Sequence, residues 1–126
     1  MRTHLVVNDT DLTAYIVAGS YNIDSADQYE SWKDGNFKEH RIIVTNKVSG
    51  SFELACSNRT GSITLADFLE TWNGAVDNGV VTLGVYIPNR NKFEALEAYY
   101  DIKVKDHILS GDGNFIDVLT IELQER

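Results

Sequence analysis

The three histidines, the single cysteine and a scatter of carboxylates are the side chains from which this chain could build chemistry. Their spacing builds none. His4, His40 and His107 lie far apart, and none has a second histidine at metal-ligand spacing. Each is expected on the surface or on a strand edge. Cys56 stands alone, which excludes an internal disulfide and a cysteine-based zinc cluster. It falls on the apolar face of a strand pattern, where a thiol packs rather than reacts. Glu94 and Glu97 are the residue type that a glycosidase sets across a sugar, but solvated charges on a strand edge account for both. Asp112-Gly113-Asn114 has a superficial likeness to a calcium loop, yet it lacks the alternating acidic ligands and the closing glutamate. Hairpin geometry explains it instead. There is no Gly-x-Ser-x-Gly elbow, no phosphate-binding glycine loop and no dinucleotide fingerprint. The expectation is a protein that is not an enzyme, with no cofactor and no metal site.

Composition narrows the class further. A chain of 126 residues with 43% hydrophobic content reads as one domain, 1–126, with one real core. Its 19 acidic residues against 11 basic give a formal charge of −8. That argues against sequence-independent binding to DNA or to an anionic membrane, because phosphate affinity comes mainly from Lys and Arg. It remains compatible with a surface past which DNA slides without sticking. The apolar stretch near the N-terminus is too short for a signal peptide. No later segment approaches the roughly 20 apolar residues of a membrane span. The chain is expected to start in a cytoplasm.

The elements that must position any site follow from hydrophobic period. From Ile42 to Cys56 the residues Ile42, Val44, Val48, Phe52, Leu54 and Cys56 fall on alternate positions, which predicts a half-buried strand. Straight, such a strand would run roughly 50 Å, against a radius of gyration of about 14 Å for a domain of this length. It must bend, change sheets or project, and Gly50 is the expected bend. Thr3 to Val7 and Leu12 to Ile23 read as strands, with Asn8 to Asp11 as the turn between them. From Asp24 to Lys38 the pattern fails and a long loop is expected, carrying Tyr29, Trp32 and Phe37. A helix over about residues 64–78 has the stripe Leu65, Phe68, Leu69, Trp72 and Val76, capped by Ser62 or Thr64 and closed by Asn78-Gly79. Val80 to Ile87, Leu96 to Val104 and Phe115 to Leu123 read as strands, the last two joined through a hairpin turn at Ser110 to Asn114. The expected fold class is α+β, mainly antiparallel β: a β-sandwich or partly open barrel with one flanking helix.

The order of motifs resembles a family. Asn8-Asp9-Thr10-Asp11-Leu12-Thr13 is similar to the opening turn of small tail proteins from bacteriophages and prophages of Gram-positive bacteria, with Asn-Asp where their pattern prefers Asn-Gly. Trp32-Lys33-Asp34-Gly35-Asn36 with His40-Arg41 resembles their loop-to-strand junction, and Val48 to Leu54 their core strand. The resemblance covers most of the chain and implies a tail-tube-like virion structural protein, a tube, tip or completion component. It further implies self-association into rings, commonly hexameric, contact with other tail proteins, and DNA passing through an acidic lumen. Tyr29, Trp32, Phe37, His40, Arg41 and Ile43 are then the candidate subunit contact, as anchors buried in a neighbouring copy. Assembly would take place in the host bacterial cytoplasm and end in the virion. The rival reading is a ligand-binding β-sandwich such as a carbohydrate-binding module, stacking sugars on Tyr29, Trp32, Tyr86 and Tyr99.

Overall fold

The computed structural model describes residues 3–33, 35 and 39–126, with side chains described for 3–27, 35 and 46–126. The strands are β1 (Leu5–Val7), β2 (Thr10–Asp11), β3 (Asn22–Lys33), β4 (Glu39–Ser57), β5 (Val76–Asp77), β6 (Val80–Ile87), β7 (Lys92–Leu109) and β8 (Phe115–Glu125). One helix, α1 (Leu65–Asn73), stands between β4 and β5. All pairings are antiparallel and form one eight-stranded sheet in the order β2-β1-β6-β7-β8-β4-β3, with β5 beside β6. The fold is mainly antiparallel β with one helix, and the sheet is open.

The sheet curls rather than lying flat. Its two ends contribute to one core, Leu5 and Val7 from β1 and Ile23 and Val48 from β3 and β4. They meet Phe52, Leu54 and Cys56 of β4, Val81, Leu83, Val85 and Ile87 of β6, and Leu119, Ile121 and Leu123 of β8. β3 also touches β6, although three strands separate them in the sheet. The Tyr21 hydroxyl crosses this gap to donate to the carbonyl of Tyr86. Burial pushes the Tyr21 phenol well above its ordinary pKa, so it remains a donor.

Helix α1 closes the open side. The Thr64 hydroxyl accepts the Asp67 amide at 3.2 Å, and Asp67 lies in the first turn, where a negative charge opposes the helix dipole. Phe68 and Trp72, four residues apart and therefore on one face, are fully buried.

Three expected elements take another form. The helix stops at Asn73, and Asn78-Gly79, with φ of 55° and 80°, is the two-residue turn between β5 and β6. A left-handed Asn-Gly pair suits a helix end and a tight hairpin equally; the valines on both sides decide for the hairpin. Leu12 to Ile23 is not one strand. The Asp11 carboxylate accepts the Thr13 amide at 2.9 Å and the Thr13 hydroxyl accepts the His4 amide at 2.9 Å, which winds Thr13–Tyr15 into a 3-10 turn. Thirdly, the segment after Asp24 is strand β3, not a loop.

Cys56 is fully buried, and burial, together with the nearby Asp117 carboxylate, pushes its thiol up to about 11. A thiol-specific disulfide reagent at pH 8 should leave it unmodified in the native protein and react fully in denaturant. Rapid native modification would contradict this packing.

Candidate functional site

The residues singled out from the sequence converge on one hairpin. β3 and β4 pair from Asn22↔Ser51 to Lys33↔Glu39, with a bulge between Gln28 and Tyr29. Tyr29 is the cross-strand partner of Ile43, Trp32 of His40, and Ser31 of Arg41. Phe37 lies outside the described residues. What reads as an unpatterned stretch is therefore half of a two-stranded arm. Alternation records a core beneath one face, and past Ser25, among the described residues, no body strand pairs with this hairpin; only side chains reach its root.

β4 changes partners along its length, and that change creates the arm. Ser49 to Ser57 pair with β8, whereas everything on the arm side of Ser49 pairs with β3 alone. Gly50 sits in the short overlap, between Ile23 and Leu123, with φ of 148°. A Cβ here would stand 2.0 Å from the Asn22 carbonyl oxygen. Gly50→Ala should destabilise the protein by about 2–4 kcal/mol, from the disfavoured φ and forced backbone shift together. Urea unfolding measures it, and a loss under about 0.5 kcal/mol, the range of ordinary surface changes, would show that the backbone at Gly50 relaxes freely.

Side chains clamp the root on both edges. The Asn89 amide pairs with the Ser25 backbone as a strand would: its Oδ1 accepts the Ser25 amide at 3.0 Å and its Nδ2 donates to the Ser25 carbonyl at 2.7 Å. On the other edge, where β8 ends, the Glu125 carboxylate accepts the Val48 amide at 2.8 Å. A polar chain ties the same level to the body. Glu94 holds Arg90 at 2.6 Å, Arg90 donates to Asn46, and Asn46 donates to Asp27. Sequence reasoning did not find Asn89 or Glu125, since nothing local marks an amide or carboxylate as a substitute strand.

The free edge of β4 nearer its end is closed as well. Beyond β3, the free side of β4 is covered by Ile16, which bridges Leu54, and by the Val17 amide donating to Glu53 at 2.9 Å. At its end the Ser57 amide reaches the Ile63 carbonyl at 2.8 Å. β7 is different. β6 covers it only from Lys92 to Tyr99, and among the described residues no backbone bond reaches its outer edge from Tyr100 onward.

The other candidates do not assemble. Glu94 pairs with Arg90 while Glu97 lies 3.6 Å from Arg126, and three residues apart on one strand they point to opposite faces. His4 packs edge-on against Tyr21 and Tyr86, while the His107 ring contacts Phe115 and Nδ1 meets the buried Asp117 carboxylate. Among the described residues no group of three or more His, Cys, Asp or Glu could hold a metal ion. Tyr86 and Tyr99 lie opposite Phe93 and Val80 in the β6–β7 ladder, which separates them by roughly 20 Å. That is too far for one sugar platform. No protein-family model, curated protein or solved structure matches this chain.

Proposed function

We propose that this chain is a structural subunit of a bacteriophage or prophage tail, a tube, tip or completion component, that closes into rings with copies of itself. The observation that carries the reading is a pair of open edges on opposite sides of the ribbon β7-β8-β4-β3. One is the outer edge of β3 beyond the Asn89 clamp; the other is the outer edge of β7 from Tyr100 to the bulge at Val104/Asp106. An unpaired edge is a template for another strand. Because these edges differ and face opposite ways, β3 of one copy beside β7 of the next continues the sheet head-to-tail, and such an interface propagates until it closes as a ring. Tyr29, Trp32, His40, Arg41 and Ile43 belong to the contributing arm, and Phe37 is proposed to join the same contact.

The formal charge of −8 supports the same reading. A channel through acidic subunits repels phosphate, so DNA passes without specific binding. The subunit works by shape and self-association, together with other tail proteins, and needs no catalytic group, cofactor or membrane. It assembles in the host bacterial cytoplasm and ends in the virion. Light scattering after size exclusion, with electron microscopy of the peak, tests this: rings of one size are expected. A protein that stays monomeric at high concentration and with tail partners present would overturn it.

A further inference from the structure

Two Asn-Gly pairs occur in the chain, Asn73-Gly74 and Asn78-Gly79. Such a pair can modify itself. The glycine amide nitrogen attacks the asparagine Cγ: a C–N bond forms, the Cγ–Nδ2 bond breaks, and ammonia leaves with the amide proton. Water then opens the five-membered imide on either side, giving aspartate or isoaspartate. Glycine favours the attack because no Cβ crowds its nitrogen. Sequence makes the two pairs equal, and the fold separates them. Asn73 is the last residue of α1, and the Gly74 amide, the nucleophile in this reaction, donates to the Glu70 carbonyl at 3.0 Å. Gly74 has helical φ and ψ of −64° and −20°, and a Cβ on it would lie 2.6 Å from Asn8 Nδ2, so this corner is packed. Freeing it means unwinding the last turn of α1, which carries the fully buried Trp72.

Asn78 differs at each point. It and Gly79 are exposed, and among the described residues no hydrogen bond holds the Asn78 carboxamide or the Gly79 amide. A Cβ built on Gly79 meets nothing within 4 Å. Ring closure needs rotation about the Asn78 main chain, out of the left-handed turn with φ of 55°. The hairpin permits it. β5 is only two residues long, pairing Val76 with Val81 and Asp77 with Val80, and such short pairing opens at little cost. The same comparison sets aside Asp112-Gly113, where aspartate could close the same imide. The Gly113 amide donates to the Ser110 carbonyl at 3.3 Å. Hydrogen bonds from the Ser110 hydroxyl and the Asn114 amide hold the Asp112 carboxyl down at about 2, so it stays an ionised carboxylate, which resists attack.

We propose that Asn78-Gly79 is a self-modification site, converting through an imide to isoaspartate and aspartate in the native protein, while α1 holds Asn73-Gly74 unreactive. Either product places a new carboxylate beside Asp77. Isoaspartate also routes the main chain through an extra methylene, which a two-residue turn cannot absorb with the register of β5 intact. The Thr82 amide, which donates to the Ala75 carbonyl at 3.0 Å, is then released. None of this depends on the ring reading. The test is incubation of the full chain at pH 9 beside two synthetic peptides, residues 70–77 and 75–82, as unfolded references. Peptide mapping by mass spectrometry, with chromatographic separation of the isomers, follows the gain of one mass unit at each asparagine. Asn78 in the protein should react within about tenfold of its peptide, whereas Asn73 should be slowed by more than about tenfold against its own, since its helix must open first. In isoaspartate-containing protein the Thr82 amide should exchange about tenfold faster than in unmodified protein. Stronger protection of Asn78, equal protection of the two asparagines, or unchanged exchange at Thr82 would each overturn the proposal.

Discussion

Trp72→Ala is expected to lower the free energy of unfolding by about 3–5 kcal/mol, the range for removing a large aromatic from a core. Trp72 is fully buried, its ring 5.8 Å from Phe68 and 5.4 Å from the edge-on ring of Tyr100. It joins helix α1 to β7 within the buried core, so its removal leaves a cavity among packed side chains. The indole Nε1 finds no hydrogen-bond acceptor among the described residues. A buried donor without a partner costs about 1–3 kcal/mol. Trp72→Phe therefore loses some packing but also removes that cost, and should lie within about 1 kcal/mol of wild type. Urea unfolding of both variants checks the pair. Equal large losses would mean that the indole nitrogen has a partner. Trp32→Ala, on the arm, should cost much less, and a loss equal to that of Trp72→Ala would place Trp32 in the core.

Replacing residues 28–45 by a two-residue Asn-Gly turn should give a folded monomer that no longer forms rings. The register dictates this cut: Gln28 faces Thr45, so the new turn joins Asp27 to its partner Asn46. A deletion confined to Tyr29 to Phe37 would instead leave the arm half of β4 without its partner strand. The root stays clamped, because Asn89 on Ser25, Glu125 on Val48, and Ile23 and Val48 in the core all lie on the body side of the cut. The melting temperature should change little, while the mass by light scattering falls from the ring to the monomer. If the shortened protein still makes the same rings, assembly runs through another surface. If it fails to fold, the arm belongs to the core instead.

Much of the body was legible without the structure, for one physical reason. Where a strand lies over a core, one face is apolar and the other is wet, so the period appears in the residues themselves. Leu119, Ile121 and Leu123 alternate and are buried, and Phe52, Leu54 and Cys56 do the same. The pair Phe68 and Trp72 marks α1 as clearly, with the cap expected at Ser62 or Thr64 and found at Thr64, since a helix start and a four-residue repeat are local features. The strand from Ile42 to Cys56 was legible as too long for its domain, and Gly50, the expected bend, lies where β4 passes from β3 alone to β3 and β8 together.

The remainder depended on which segments meet. β3 past Ser25 pairs with β4 alone, and its sequence shows no alternation, so it reads as a loop. Asn78-Gly79 allows two structures, and only the pairing of Val76 with Val81 selects the hairpin. Ile16 and Val17 become an edge cover because they meet Leu54 and Glu53, far away in sequence. The aromatic and basic residues of the arm could be named in advance, but their union on one hairpin could not. Nor could the clamps at Asn89 and Glu125, or the open edge of β7 beyond Tyr99. An edge is defined by the absence of a neighbouring strand, which is a property of the folded arrangement and of no single stretch of chain.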